Sequence, residues 1–191
     1  MYEKKLFKYE AAGFFAIYAS AVFLHFVYDI TDGNIFSILF GAVNESVWEN
    51  VKIFIMPYAA WAVIELFCAD PPLKQFTVAK TAGLCFLIIV NIVWFYLYTF
   101  FTKAPVLAVD IGFSAVWLAV SLALSYRLTL SDRNLNELFP IASLTLLLLL
   151  VLYFTFSVFP PKIGLFKDCT TGTYGIPVDG LLPEAVFKPV Q

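Results

Sequence analysis

Apolar positions along the chain gather in long blocks, with no two-residue alternation of the kind a half-buried strand needs. A spanning helix requires about 20 mainly apolar residues, because about 30 Å of hydrocarbon is covered at about 1.5 Å per residue. Five stretches satisfy this: Glu10–Ile30, Asn50–Ala69, Ala79–Thr102, Pro105–Leu128 and Leu138–Phe159. The breaks between them are short and polar. Asp70-Pro71-Pro72 stops one helix, Lys103-Ala104-Pro105 turns another, and Ser131 to Asn134 reads as a hairpin. A further apolar run, Ile35 to Val43, is too short to cross and is predicted to be interfacial or re-entrant. The pattern therefore predicts an all-α fold. It is a polytopic membrane helix bundle over residues 1–159, followed by an irregular Pro/Gly-rich tail, 160–191, packed on the bundle.

Composition agrees. The chain of 191 residues is 61% hydrophobic and 14% charged, against roughly 25% charged for soluble domains. With a net charge of −2 and no basic block, it fits neither a soluble enzyme, nor a disordered chain, nor a nucleic-acid binder. The partner it demands is a lipid bilayer.

Lys4, Lys5 and Lys8 before an apolar run, with Ala19-Ser20-Ala21 further on, superficially suggest a signal peptide. The apolar run continues to Tyr28, so an uncleaved first helix is expected. Basic residues then set the orientation. An inner N-terminus puts Lys4, Lys5, Lys8, Lys74, Lys80, Arg127 and Arg133 inside, and Lys52, Lys103, Lys162, Lys167 and Lys188 outside. The bias predicts a multi-pass cell-membrane protein, N-terminus cytoplasmic and C-terminus extracytoplasmic. Cys68, Cys85 and Cys169 show no metal-binding or disulfide spacing.

In that topology the unusual polar residues collect at the outer side. His25, the only histidine, precedes Asp29 by four residues, on one helix face. Asn44, Glu45 and Glu49 mark the start of the second span, with Lys52 one turn deeper, and Asp110 lies near the start of the fourth. Asp168 belongs to the tail. Ionisable groups within a bilayer are costly unless paired or solvated, so these are candidate site residues. Ser46-x-x-Glu49 has the form of a capping box, with Asn44 as an alternative cap. Glu45, Glu49 and Lys52 fall on one face at helical spacing, with Trp48 beside them at a depth suited to indole.

The segment Asn44-Glu-Ser-Val-Trp-Glu-Asn-Val-Lys52, followed by Pro57, together with Lys162 to Ile176, resembles a family of small bacterial integral membrane proteins of unknown function with an Asn-Glu-Ser-x-Trp-Glu signature. The resemblance implies a multi-span fold and brings no activity with it.

Elsewhere, Glu65 is expected to reach the interface from the end of its helix. Asn91 is expected to bond a neighbouring helix, and Ala12, Ala16 and Ser20 repeat at a spacing that permits close helix approach or a partner surface. The residues leave three readings open. One is a binding or transport-related subunit, with a small solute or cation held by His25, Asp29, Asn44, Glu45, Glu49, Lys52 and Asp110. Another is a membrane-embedded enzyme acting on a lipid-like substrate through a divalent cation at His25, Glu45 and Glu49. The last is an accessory subunit whose polar cluster pins helices together. A homo-oligomer or larger complex suits the first and last.

Overall fold

The computed structural model describes residues 2–177. Six α-helices follow in order: α1 (Tyr2–Ile30), α2 (Ile35–Phe40), α3 (Val47–Ala69), α4 (Leu73–Thr102), α5 (Leu107–Thr129) and α6 (Phe139–Val158). All but α2 are long and apolar enough to cross a membrane. The polytopic bundle predicted from the apolar blocks is therefore the fold. Three helices begin earlier than the apolar pattern indicates: α1 at Tyr2, α3 at Val47 and α4 at Leu73. The extra turns place Glu49 inside α3 and leave Glu10 and Lys80 about two turns from the starts of their helices.

The helices α1, α3, α4 and α5 form a closed ring, α1 packing on α3 and α5, and α4 on α3 and α5. The sixth helix lies outside the ring against α4, and α2 bridges α6 and α1. Successive spans alternate in direction. The start of α1, the α3–α4 turn and the α5–α6 turn thus share one end, here the Lys80 end. The α1–α2 turn, the α4–α5 turn and the residues after α6 share the other, the His25 end.

Lipid is as apolar as leucine, so burial of leucine cannot drive helices together in a bilayer, and close packing and hydrogen bonds must. The ring obeys this logic. Its outward faces carry Phe7, Phe15, Phe23, Val63, Phe67, Ile89 and Val93, while Gly13, Ala21, Gly83, Ser121 and Ser125 lie inside. On α1 the buried stripe is Leu6, Glu10, Gly13, Ile17, Ala21, Leu24 and Val27, a repeat of three and four residues. Ala12 and Ser20 lie one position off this stripe and are exposed, so close helix approach on α1 uses Gly13 and Ala21 instead. At Gly13 the indole of Trp61 occupies the space a Cβ would need, and Trp61 Nε1 donates to Tyr9 O at 3.0 Å.

At about 9 Å long, α2 cannot cross a bilayer. Asn34 caps it by accepting from Ser37 N–H at 2.9 Å, and the chain then returns to α1, with Ala42 N–H donating to Leu24 O. Tyr153 OH on α6 donates to Phe40 O at 3.1 Å. Asn91 bonds its own helix, Nδ2 to Leu87 O at 2.8 Å, not a neighbour: four residues back on a helix is within easy reach of an amide. Gln75 fastens the α5–α6 turn, donating to Leu128 O and Arg133 O and accepting from Leu135 N–H.

After α6, Phe166 is buried against Trp48 and Phe156, with ring centroids 5.5 and 4.9 Å away. Trp48 is accordingly buried between these two rings at the start of α3, edge-on to Phe156 and tilted against Phe166. Leu181, Leu182 and Phe187 of the expected tail lie outside the described residues.

Candidate functional site

At the His25 end the chain between α2 and α3 decides where each acid points. Ser46 is extended (φ −81°, ψ 156°) and its hydroxyl accepts from Glu49 N–H at 3.3 Å, which starts α3 at Val47. The reciprocal half of the expected capping box is absent. Ser46 N–H donates to Asn44 Oδ1 at 2.9 Å, and the Glu49 carboxylate turns away to accept from Val43 N–H at 3.0 Å. Because Ser46 breaks the helical register, Glu45 does not share a face with Glu49 and Lys52. Glu45 is exposed and meets His25 Nε2 at 3.5 Å, whereas Glu49 and Lys52 are buried and pair at 2.7 Å. Lys52 Nζ also donates to Ser157 Oγ at 3.1 Å and lies over the Tyr153 ring.

The remaining candidates disperse. Asp29 is exposed one turn beyond His25. Asn44 Nδ2 donates to Gly175 O at 2.9 Å, tying the α3 start to the tail. Asp110 accepts from Tyr98 OH at 2.6 Å, and Tyr98 OH in turn accepts from Val106 N–H. Among the described residues no group of three or more His, Cys, Asp or Glu stands close enough to hold a metal ion. His25, Glu45 and Glu49 therefore do not converge as the metal reading required, since Lys52 already occupies the place beside Glu49.

A polar cavity of about 410 Å³ opens at this end between the tail and the ring. Val47, Phe95 and Tyr96 wall one side, and the segment from Gly164 to Gly172 walls the other. Asp168 organises that segment. Its Oδ1 accepts from Thr170 N–H and Oγ1–H, both at 2.7 Å, and from Thr171 N–H at 3.0 Å. Burial opposes its charge, but these bonds outweigh it and hold the carboxyl below the usual carboxylate range. The next residue, Cys169, donates its N–H to Glu45 O at 3.2 Å. Burial, and then the charges of Asp168, Asp110 and Glu45, push its thiol up. The cavity wall itself carries one carboxylate, Asp168, and one ammonium, Lys167.

A second polar centre lies at the Lys80 end, and the sequence reasoning missed it. Lys80 Nζ stands 2.8 Å from Glu10 Oε2 and 2.5 Å from Glu65 Oε2. All three residues are buried. Glu65 does not reach an interface: α4 begins seven residues before Lys80, so the ammonium meets Glu65 inside the ring. Beside this centre an apolar cleft of about 210 Å³ separates α3 from α6, with α4 as its floor and Lys80 and Thr77 among its lining residues.

Residues 2–176 match the model of a family of unknown function (DUF6512). No curated protein and no solved structure matches the chain.

Proposed function

The chain belongs to the family DUF6512, whose function is unknown, and from its own residues we propose that it is a membrane-embedded binding protein for a small cationic solute. The observation that carries this reading is the polar cavity at the His25 end, with a carboxylate and two aromatic rings on its wall. Asp168 and Cys169 lie on the wall of a 410 Å³ polar cavity that Phe95 and Tyr96 also line, and Cys169 N–H donates to the backbone oxygen of Glu45 beside it. Carboxylates beside aromatic faces suit an organic cation, which gains from charge and from ring quadrupoles alike. His25 and Asn44 take supporting parts, one pairing with Glu45 and the other holding the tail across the mouth.

Orientation supports an extracytoplasmic mouth. Taking buried Lys80 and Lys52 out of the basic-residue comparison leaves the excess on the Lys80 end. In that arrangement the protein captures its solute from outside and serves as a binding subunit. A helix-pinning accessory role is a second reading, favoured by the buried Glu49–Lys52–Ser157 contacts.

The test is a thermal-shift screen of the purified protein against small amines, quaternary ammonium compounds and guanidinium compounds, with Glu45→Gln and Asp110→Asn variants alongside. Stabilisation by a cation that weakens in both variants is the expected result. If no cation stabilises the wild type, or the variants respond equally, the binding reading fails and the accessory reading stands.

A further inference from the structure

Each helix of the ring sends one polar side chain to a common point at the Lys80 end. Glu10 comes from α1, Glu65 from α3, Lys80 from α4 and Ser125 from α5. Ser125 Oγ donates to Glu10 Oε1 at 2.8 Å, and Lys80 lies between the two carboxylates. Glu65 is wholly buried, yet neither of its oxygens accepts a hydrogen bond, its contact with Lys80 being close but poorly aligned. With every group ionised, two carboxylates face one ammonium and the cluster holds a surplus negative charge inside the span. An uncompensated charge there is among the most costly things a membrane protein can bury.

We propose that this cluster is a proton-binding site, in which Glu65 carries one exchangeable proton beside the Glu10–Lys80 ion pair. The assignment of partners follows from the hydrogen bonds. Lys80 touches one oxygen of each acid without an aligned hydrogen bond to either, so the Ser125 hydroxyl decides: it donates to Glu10 Oε1 and holds that charge, whereas Glu65 accepts from no donor and keeps an open, buried Oε1. A metal ion is the wrong occupant. The ammonium already fills the position between the carboxylates, and no third His, Cys, Asp or Glu joins them among the described residues.

The other groups facing the cluster leave this balance intact. From α3 comes Tyr58, whose ring lies 5.4 Å from Lys80 Nζ, and its hydroxyl accepts from Ser121 Oγ of α5 at 3.3 Å. Phe76 of α4 covers Lys80 from the other side, and α6 offers only Leu146, Leu149 and Leu150 to the adjoining cleft. Taking up one proton brings the cluster from a surplus charge to neutrality. Releasing it leaves Lys80 serving two charged acids next to an apolar cleft, so release demands a compensating rearrangement. The site is independent of the cavity at the His25 end, and either can fail without the other.

Infrared spectroscopy of the full chain in detergent, in H₂O and D₂O, reads the proton directly. A protonated-carboxyl absorption that shifts in D₂O is expected in the wild type at neutral pH. Glu65→Gln should lose it, and Lys80→Met should strengthen it, because both acids must then be neutral. Absence of the absorption in the wild type, its persistence in Glu65→Gln, or no gain in Lys80→Met would overturn the proposal. Should Lys80→Met not fold, the wild type and Glu65→Gln decide the matter by themselves.

Discussion

Lys52 and Glu49 stand one helical turn apart on α3 and close a 2.7 Å ion pair with almost no solvent exposure. The pair does more than neutralise itself. Through Val43 N–H it fixes the chain entering α3, and through Ser157 it reaches α6. Removing one partner leaves the other charge buried alone, which costs on the order of 3 kcal/mol. Lys52→Met should therefore lower stability by about that much, whereas Glu49→Gln with Lys52→Met should recover most of it. Unfolding in detergent by heat or denaturant measures both, and a double variant as unstable as the single would show that packing, not charge, dominates.

Two glycines separate close approach from free surface. A Cβ on Gly83 would strike Tyr58 OH and the backbone oxygen of Ser121, where α4, α3 and α5 meet, while a Cβ on Gly112 would meet nothing within 4 Å. Gly83→Ala should destabilise by about 1–3 kcal/mol. Gly112→Ala should be neutral or gain up to about 1 kcal/mol of helix propensity. Comparable effects in both would contradict the packing of α4 on α5.

The Asp168 turn has a defined pH dependence. Its carboxyl titrates below the usual carboxylate range when folded. The stabilisation is therefore complete above the ordinary value of about 4 and is lost as pH falls through the lower, folded value. The stability difference between wild type and Asp168→Asn should be full at neutral pH and close in acid. A difference that ignored pH would remove the charge of Asp168 from the account.

Cys169 reports on the charges around the cavity at the His25 end. Thiolate is the reactive form, and burial together with Asp168, Asp110 and Glu45 disfavours it. In a Cys68→Ser/Cys85→Ser background, alkylation of Cys169 should be slower at neutral pH than that of an unstructured cysteine. Glu45→Gln and Asp110→Asn should each speed it. A rate unchanged in both variants would place those charges too far away to matter. With a membrane-impermeant reagent on intact cells, the same residue tests on which side of the membrane the tail lies.

How much of this was legible beforehand depended on which signal each element carried. The spans are written in apolar blocks, and the Asp70-Pro71-Pro72 and Lys103-Ala104-Pro105 breaks fall where helices end. Helix starts were less legible, because the first turns of α1 and α4 are polar enough to read as loop. That error hid the Glu10–Glu65–Lys80 centre, placing Glu10 and Lys80 in the first two residues of their spans, where an interfacial position is expected. A trace was present: Leu6, Glu10, Gly13 and Ile17 keep one three- and four-residue rhythm, so Glu10 occupies an inward position of its stripe. The clustering of His25, Glu45 and Glu49 was legible as proximity along the chain but not as contact. The extended backbone at Ser46 rotates Glu45 out of the α3 register, and only tertiary structure reveals which acid meets Lys52.

The cleft between α3 and α6 has a mechanical consequence. At the His25 end, Lys52–Ser157 and the edge-on Trp48–Phe156 contact latch α6 to α3; at the Lys80 end that cleft keeps them apart, and α6 rests on α4. The sixth helix is thus fastened along one end and bordered by open space along the other, and Phe166 of the tail packs on the fastened end through Phe156.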